Sequence, residues 1–392
     1  MTFAFHTPHK IVFGAGVRHT LAVEAAALGR RACILTGAHP ERTQDLLASV
    51  AGALRLTVAG EPRVEQVRAW TAQARAAQCD LVVGIGGGSV LDAAKAVAAL
   101  LTNPGDVLDY LEVIGKGNPL TAPAAPCIAV PTTAGTGAEA TCNTVLQAAE
   151  PCVKVSIRSP LLMPTVALVD PVLTYSQPAH VTAAAGMDAL TQLLEAFVSM
   201  SASPLSDAVC REGLRRIGPA LPAVLHDGAD TAARADMAFA ALCSGMALAN
   251  ARLGAVHGMA GPLGGLSGAP HGAICARLVP LVTATTVRAL RARAPGSPVL
   301  SKYDEVARLL LATPNATADA LADWLEQLCA QAALPPLAHF GVTPAMGAAI
   351  IPGALRASSM KTNPIALTNT ELQEILARAC APQSSKKNQE AQ

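Results

Sequence analysis

The sequence contains few charged and few aromatic residues, and its charges nearly cancel. Charged side chains make up 15% of the 392 residues and aromatic side chains 3%, and the formal net charge at pH 7 is +1. With 51% hydrophobic residues, the chain can bury a large core, which argues against long disordered regions. Because lysine and arginine form no stripe, we expect neither nucleic acid nor an anionic membrane as a partner. The scarcity of aromatic side chains argues against a large stacking platform in a substrate pocket.

Sequence signals for secretion or membrane insertion are also missing. The first thirteen residues hold no basic segment followed by an apolar one, so no signal peptide is predicted. No apolar run reaches about 18 residues without a polar or breaking residue, which predicts no membrane helix. The ten cysteines form no C-x-x-C pair and no zinc-finger spacing with histidine, so we interpret them as buried, reduced thiols. These features predict a cytoplasmic protein.

The first half of the chain alternates short β-rich runs with alanine-rich stretches of helical length. The predicted strands are residues 10–13, 32–36, 55–58, 81–85 and 127–130. Residues 64–77 and 90–101 are two of the predicted helices between them. Strands that alternate with helices indicate a parallel sheet with both faces covered.

After about residue 180 the β-branched clusters disappear, and proline and glycine separate segments of helical length. The predicted helices here include residues 184–200, 204–217, 231–251 and 317–333. We therefore predict an α/β Rossmann-like N-terminal domain over residues 1–178 and an all-α C-terminal domain over 179–381. A polar, flexible tail is predicted over 382–392.

The loop Gly86-Gly87-Gly88-Ser89 follows the fourth predicted strand and precedes a good helix. Consecutive glycines let the backbone approach an anion, and the helix N-terminus offers free N–H groups and a positive dipole end. Diphosphate suits such a loop, although a tight strand-to-helix turn without a ligand has the same pattern. The loop matches neither G-x-G-x-x-G nor a Walker sequence.

A second polar, glycine-rich loop, residues 130–139, leaves the fifth predicted strand and carries Thr132, Thr133 and Thr136. In isolation it is equally typical of a hydroxyl cap. Two such loops at the carboxyl ends of two strands favour a binding function for both, because open α/β sheets bind ligands at that edge.

Six segments of the chain together resemble the iron-containing (group III) alcohol dehydrogenases, and the resemblance runs from about Phe5 to Leu376. The matching segments are Lys10–Gly16, Gly86–Lys95, Pro131–Gly137, Val166–Pro171, Gly186–Leu190 and Pro270–Gly272. The resemblance implies a dehydroquinate synthase-like fold, a homodimer, and a dinucleotide bound between a Rossmann-like and a helical domain. The maleylacetate reductases are close relatives.

The same resemblance assigns cofactor-binding roles to individual residues. Residues 86–89 would hold the diphosphate, with Asp92 nearby. The three threonines of the second loop would line the nicotinamide half, and Lys154 would reach the cofactor ribose.

The family holds its metal with one aspartate, a histidine four residues later, and two further histidines. Here the matching positions are Asp188, Gln192, His257 and His271. Gln192 is a neutral and poorer ligand than imidazole, and Gly261 stands where many relatives carry another histidine facing the substrate region. The remaining ligands suit Fe²⁺ or Zn²⁺, and without a metal His257 or His271 could donate the proton.

The choice of nicotinamide depends on Gly37, at the end of the second predicted strand. Many relatives place an aspartate here that bonds the adenosine ribose and repels a 2′-phosphate. Gly37 removes that repulsion, and Arg42 lies close enough in sequence to pair with a phosphate. The sequence therefore favours NADP(H) over NAD(H), with use of both expected.

These features predict an alcohol dehydrogenase or carbonyl reductase that takes a small alcohol or carbonyl substrate. The two lost imidazoles leave three alternatives open: a weakened but metal-dependent site, a metal-free reductase like the maleylacetate reductases, or a dinucleotide-binding protein without redox chemistry. A lyase or cyclase related to the dehydroquinate synthases is a further alternative, although those enzymes carry different metal-ligand patterns.

Overall fold

The computed structural model describes residues 2–148 and 153–381, in which eight strands form two sheets. In chain order the strands are β1 (Lys10–Phe13), β2 (Ala32–Gly37), β3 (Leu54–Val58), β4 (Leu81–Gly86), β5 (Cys127–Pro131), β6 (Asn143–Ala148), β7 (Val153–Arg158) and β8 (Val166–Val169). Six of them form a parallel sheet in the order β1-β8-β5-β4-β2-β3, and β6 and β7 form an antiparallel pair. The predicted parallel sheet is confirmed.

The central strands are apolar along their whole length because both faces of the sheet are covered. All six residues of β4 and all five of β5 are buried. The five predicted strands agree with the structure to within one residue at each end. The sequence analysis missed β6, β7 and β8. In β6 only alternate residues are buried, and that pattern is weaker in sequence than a continuous apolar run.

Fourteen α-helices lie within the described residues. They are α1 (Leu21–Leu28), α2 (Gln44–Ser49), α3 (Val64–Ala76), α4 (Gly88–Thr102), α5 (Val107–Tyr110), α6 (Ala179–Val198), α7 (Pro204–His226), α8 (Thr231–Ala251), α9 (Ala255–Ser267), α10 (His271–Arg293), α11 (Val299–Leu311), α12 (Ala318–Gln331), α13 (Gly347–Arg356) and α14 (Asn369–Cys380). The first five accompany the sheet and the rest form the helical region. β8 ends at Val169 and α6 begins at Ala179, which brackets the domain boundary that we propose at residue 178. The predicted tail, 382–392, lies outside the described residues.

Helix α6 is the centre of the helical region and packs against α7, α8 and α10. Fifteen of its twenty residues are buried, so it is apolar nearly all round rather than along one stripe. The polar side chains that it does bury therefore need partners inside the protein.

By length and composition alone, α8 and α10 are apolar enough to cross a membrane. Both helices contain polar residues. They are therefore consistent with the absence of an uninterrupted apolar run in the sequence. Their most apolar windows are 61% and 89% buried inside the protein. Such burial is what core helices show, and it makes the two helices weak evidence for a membrane span.

The sheet and the helical region meet at close backbone contacts on the second glycine-rich loop. Gly137 adopts a left-handed φ of +59°, and a Cβ there would lie 2.5 Å from the Cα of Gly245 on α8. A Cβ at Gly135 would lie 2.8 Å from the Cα of Ala185 on α6. Glycine is required at both positions because main chain packs directly on main chain.

Candidate active site

The first glycine loop joins β4 to α4 and packs against the second glycine-rich loop. Gly87 is the N-terminal cap residue of the 15-residue helix α4, and the N–H of Thr132 donates to the carbonyl of Gly86 over 3.0 Å. A Cβ at Gly88 would lie 2.8 Å from the Cγ2 of Thr136. The structure thus brings the two loops together at the N-terminus of a long helix, where an anion is favoured.

Two cavities meet at these loops. The smaller cavity, about 470 Å³, is lined by five of the predicted cofactor residues: Gly37, Gly86, Gly87, Thr132 and Thr133. The larger cavity, about 730 Å³, is lined by the other five: Gly88, Ser89, Asp92, Thr136 and Lys154. The glycine loop therefore lies between the two cavities, and a dinucleotide lying across it would place one nucleoside on each side.

A buried lysine stabilises the wall of the larger cavity. The side chain of Lys95 is fully buried, and its Nζ lies 3.0 Å from the Oδ1 of Asp92 and donates to the hydroxyl of Thr141 over 2.8 Å. It also donates to the carbonyl of Asn143. Burial raises the pKa of Asp92, although Lys95 opposes that shift. In the sequence Lys95 was only the last residue of a matching motif, and nothing in the pattern indicated this role.

Replacing Lys95 with methionine is expected to lower the free energy of unfolding by about 2 kcal/mol, because it leaves the half-buried carboxylate of Asp92 without its cation and the carbonyl of Asn143 without its donor. Urea denaturation at neutral pH measures this change. Lys361→Met is the matched control, since Lys361 is exposed, and it should change stability by less than about 0.5 kcal/mol. An unfolding free energy for Lys95→Met equal to that of the wild type would contradict the assignment.

At the far end of the larger cavity, three predicted metal-site residues come together from three helices. The Nε2 of His257 on α9 lies 3.4 Å from the Oδ1 of Asp188 on α6, and the Nε2 of His271 on α10 lies 3.5 Å from the same oxygen. Yet this Oδ1 is buried and accepts no hydrogen bond within the part of the chain that the structure describes. A buried acceptor without a donor is costly, and a cation among these atoms would satisfy it.

Cys275, which the sequence analysis did not place in the site, belongs to the same cluster. Its Sγ lies 3.6 Å from the Nε2 of His271 and 3.9 Å from the Nε2 of His257. The potential ligand atoms of these three residues and Asp188 all lie within 4.8 Å of one another. Cys275 follows His271 by four residues on α10, so its helical spacing could have identified it. The interpretation of every cysteine as an inert thiol concealed that signal.

Glu195 fixes the orientation of His257 and was also missed. Its Oε2 lies 2.7 Å from the Nδ1 of His257, and its Oε1 accepts from the N–H of Val256 over 2.6 Å. A buried carboxylate in this position holds a proton on Nδ1 and leaves Nε2 free to bind a cation. Glu195 lies seven residues after Asp188, two turns along the same face of α6, which is the available sequence signal.

Interactions among the members of this cluster shift the pKa values of its ionisable groups. Burial acts to lower the pKa of His257, but the attraction of Cys275, Asp188 and Glu195 outweighs it and raises the pKa well above the ordinary value. Attraction to Cys275 is the main cause of the raised pKa of His271. Burial acts to raise the pKa of Asp188, but the two histidines outweigh it and lower the pKa. The carboxylates and the cysteine therefore attract positive charge to this cluster.

Gln192 and Gly261, the two positions that depart from the family pattern, both line the larger cavity. Gln192 is 3% exposed; its Nε2 lies 3.5 Å from the Oδ2 of Asp188, and its Oε1 has no hydrogen-bond partner among the described residues. A Cβ at Gly261 would meet no atom within 4 Å. The cavity wall is therefore open at Gly261.

Family comparisons cover nearly the whole chain. Residues 8–171 match the model described as "Iron-containing alcohol dehydrogenase", and residues 182–380 match "Fe-containing alcohol dehydrogenase family, C-terminal". The probable alcohol dehydrogenase EutG of Salmonella typhimurium is 37% identical over 320 residues, 82% of this chain and 78% of that protein. The 1,3-propanediol dehydrogenase of Klebsiella pneumoniae is 42% identical over 221 residues, 56% of each chain.

Solved structures give the same result. A crystal structure of 1,3-propanediol oxidoreductase superposes with a TM-score of 0.88 at 32% identity, over 97% of this chain and 100% of the other. The alcohol dehydrogenase from Oenococcus oeni superposes with a TM-score of 0.86 at 29% identity, covering 96% and 99%. The sulfoacetaldehyde reductase from Bifidobacterium kashiwanohense, solved in complex with NAD+, has a TM-score of 0.85 at 28% identity, covering 97% and 99%.

Proposed function

Because this chain belongs to the iron-containing alcohol dehydrogenase family, we propose that its two-cavity cleft is the active site of an NAD(P)-dependent oxidoreductase that interconverts alcohols with aldehydes or ketones. The main support for this proposal is the set of residues that line the cleft. Gly88 and Ser89 of the phosphate loop line the same cavity as the cluster of Asp188, His257 and His271. Hydride transfer requires the cofactor and the substrate oxygen to be held at such adjacent positions.

The cofactor roles follow from the two cavities. Gly86 to Ser89 would bind the diphosphate through main-chain N–H groups at the start of α4. The sequence analysis placed Thr132, Thr133 and Thr136 on the nicotinamide half, but only Thr136 lines the larger cavity. Thr132 and Thr133 line the smaller cavity, which would take the adenosine half, so we revise their proposed role. Lys154, in an ion pair with Glu61 at 2.8 Å, lines the larger cavity within reach of a ribose on the nicotinamide side.

We further propose a preference for NADP(H). Gly37 ends β2 in the smaller cavity, and Arg18, His39 and Arg42 line the same cavity. Arg42 is exposed and forms no ion pair with any described residue. A guanidinium without a carboxylate partner, beside a position that carries no acidic side chain, suits the 2′-phosphate.

Gly37→Asp is expected to lower kcat/KM for NADPH by at least about 30-fold while leaving NADH use within about threefold, because a carboxylate would face the 2′-phosphate at short range. The substitution fits the fold, since the nearest atom to an added Cβ is 4.0 Å away. Steady-state kinetics with both cofactors measures the change. Gly37→Ala, which adds the same Cβ without charge, is the control. A wild-type enzyme that strongly prefers NADH would refute the NADP(H) proposal.

The buried cluster fits a divalent metal, Fe²⁺ or Zn²⁺, because its donors are a carboxylate and imidazoles around an unpartnered Asp188 Oδ1. Asp188, His257 and His271 would hold the ion, with Gln192 in the fourth family position. A metal bound here supplies Lewis-acid polarisation of the substrate oxygen. Glu195 keeps the proton of His257 on Nδ1, and Gln192 donates weakly to Asp188 Oδ2, so both orient the ligands.

The test of this function is turnover by the purified protein. We expect oxidation of NADPH or NADH in step with the reduction of small aldehydes or ketones, and the reverse reaction with the matching alcohols. A chelator should abolish both reactions, and added Fe²⁺ or Zn²⁺ should restore them. Cofactor binding without turnover on a broad carbonyl panel would overturn the proposal.

Gln192, in place of an imidazole, favours two other candidate functions. In a metal-free reductase, His257 or His271 would donate the proton, and a chelator would leave turnover unchanged. In a dinucleotide-binding protein without redox chemistry, cofactor would bind and no carbonyl compound would be reduced.

Membership of the family also leads us to propose a cytoplasmic homodimer. Light scattering of the purified protein measures the oligomeric state, and a monomer at micromolar concentration would exclude the dimer. Cell fractionation measures the location.

A further inference from the structure

We propose that the thiolate of Cys275 is the fourth metal ligand of this enzyme in place of the side chain at position 192, which makes the site an Asp-His-His-Cys set that prefers Zn²⁺ to Fe²⁺. The inference rests on the proposed function in one respect, since it concerns the same metal site. It departs from the family's ligand set, which takes its fourth donor from the position of Gln192 on α6.

Four of the six donor–donor distances match the edges of a tetrahedron around zinc, and all six are within 4.8 Å. Zinc–nitrogen distances of about 2.05 Å and a zinc–sulfur distance of about 2.3 Å give tetrahedral edges of about 3.4 Å between N or O donors and about 3.6 Å between N and S. The measured edges from Asp188 Oδ1 to the two imidazoles are 3.4 and 3.5 Å. The edges from Cys275 Sγ to the same nitrogens are 3.6 and 3.9 Å. Octahedral sites with bonds of about 2.1 Å would require edges near 3.0 Å.

The environment of Cys275 provides an independent argument. The residue is fully buried, and two imidazole nitrogens face its sulfur inside a cluster that also holds an unpartnered carboxylate oxygen. A structural cysteine in a helical core would have apolar neighbours instead. The thiolate is the form that binds metal, and deprotonation accompanies binding.

The chemistry of the four donors selects the metal. A thiolate is a soft ligand, and a tetrahedral set that includes sulfur is typical of zinc. Asp188 and a Cys275 thiolate together balance the two charges of the ion.

The buried Oε1 of Gln192 has no hydrogen-bond partner among the described residues, as Asp188 Oδ1 has none, so the variants below are chosen to separate Gln192 from Cys275. The amide nitrogen of Gln192 lies 3.5 Å from Asp188 Oδ2, the carboxylate oxygen that is turned away from the two imidazoles. That contact orients Asp188 without a bond to the metal. We therefore treat Gln192 as a positioning residue.

The experiment uses the full chain, freed of metal by a chelator and reloaded with Co²⁺, whose thiolate complexes absorb strongly in the near ultraviolet through sulfur-to-cobalt charge transfer. The wild-type protein should show this band. Cys275→Ser should lose it and bind Zn²⁺ at least about 100-fold more weakly, because loss of a direct ligand costs more than the roughly 10- to 100-fold that follows loss of an outer-shell partner. Gln192→Leu should keep the band. Cys243→Ser, a buried cysteine on α8 outside the cluster, is the matched control and should also keep it.

A second measurement does not depend on the folding of a variant. X-ray absorption at the zinc edge of the wild-type protein should show one sulfur scatterer at about 2.3 Å. Competition between equal concentrations of Zn²⁺ and Fe²⁺ under anaerobic conditions should give protein that carries zinc.

The inference would be overturned if the wild-type protein showed no charge-transfer band, or if the band survived in Cys275→Ser. A zinc shell of nitrogen and oxygen alone would also overturn it. So would loss of metal on Gln192→Leu but not on Cys275→Ser. The last would make Gln192 the fourth ligand. Activity separates this inference from the proposed function. If the protein reduces carbonyl compounds but has no sulfur ligand on its metal, the proposed function holds and this inference is refuted. If the metal has a sulfur ligand but the protein shows no turnover, this inference holds and the proposed function is refuted.

Discussion

Replacing His271 with alanine should abolish turnover and leave the folded, cofactor-binding protein intact. His271 is the first residue of α10, its side chain is 38% exposed, and its Nε2 lies 3.5 Å from the Oδ1 of Asp188. Loss of one imidazole from the metal cluster should lower kcat/KM by at least about 10³-fold, or about 4 kcal/mol of transition-state stabilisation. Steady-state kinetics with the best carbonyl substrate measures the loss.

The control for this prediction separates catalysis from folding. Fluorescence titration with NADPH should give the wild-type dissociation constant for His271→Ala, because His271 does not contact the phosphate loop. His226→Ala changes an exposed histidine at the end of α7 and should keep full activity. A value of kcat/KM for His271→Ala near that of the wild type would show that this residue neither binds a catalytic metal nor transfers a proton.

The second large effect is expected at Gly87, where valine should raise the KM for the dinucleotide about 100-fold, or about 2.7 kcal/mol. Gly87 has φ −77° and ψ −174°, an extended conformation that valine adopts readily. An added Cβ would lie 3.3 Å from the Cγ2 of Thr133, which is tight but can be relieved by a small shift of that side chain. The branched methyl groups would then occupy the space beside the N-terminus of α4, where the diphosphate binds.

The controls for Gly87→Val test fold and metal separately. Gly296→Val introduces the same side chain in a connection between α10 and α11 where nothing lies within 4 Å, and should not affect the KM. The metal content of Gly87→Val should equal that of the wild type, since the cluster lies at the other end of the larger cavity. Unchanged affinity for the dinucleotide would place the cofactor elsewhere.

Much of the fold was predictable because its signals are local. The central strands β4 and β5 are buried along their whole length, and helix α8 was predicted with both ends correct. The β6–β7 pair was not predictable in the same way. The two strands pair antiparallel, from Asn143 opposite Arg158 to Ala148 opposite Val153. In β6 only alternate residues are buried, and this pattern is harder to recognise in a sequence than a continuous apolar run. β8 is a fully buried apolar run that the sequence analysis used only as part of a family motif.

The site was predictable in its family positions but not in its chemistry. The motif identified Asp188, His257 and His271, and the structure brings them together. It did not identify Cys275 or Glu195, because neither lies at a family ligand position and their contacts with His257, on another helix, exist only after folding. Helical spacing, four residues from His271 and seven from Asp188, placed both on the correct faces. Spacing alone does not show which face meets which.

The direct backbone contacts of the second glycine-rich loop have a mechanical consequence. Gly137 touches Gly245 on α8 and Gly135 touches Ala185 on α6, without a side chain between the two main chains. An intervening side chain could change rotamer and absorb a displacement, but two touching main chains cannot. Ala185 also lies three residues before Asp188, within one turn of the metal cluster. The loop against which we propose that the cofactor binds is therefore a rigid spacer. A rigid loop here would fix the distance between the nicotinamide and the substrate oxygen.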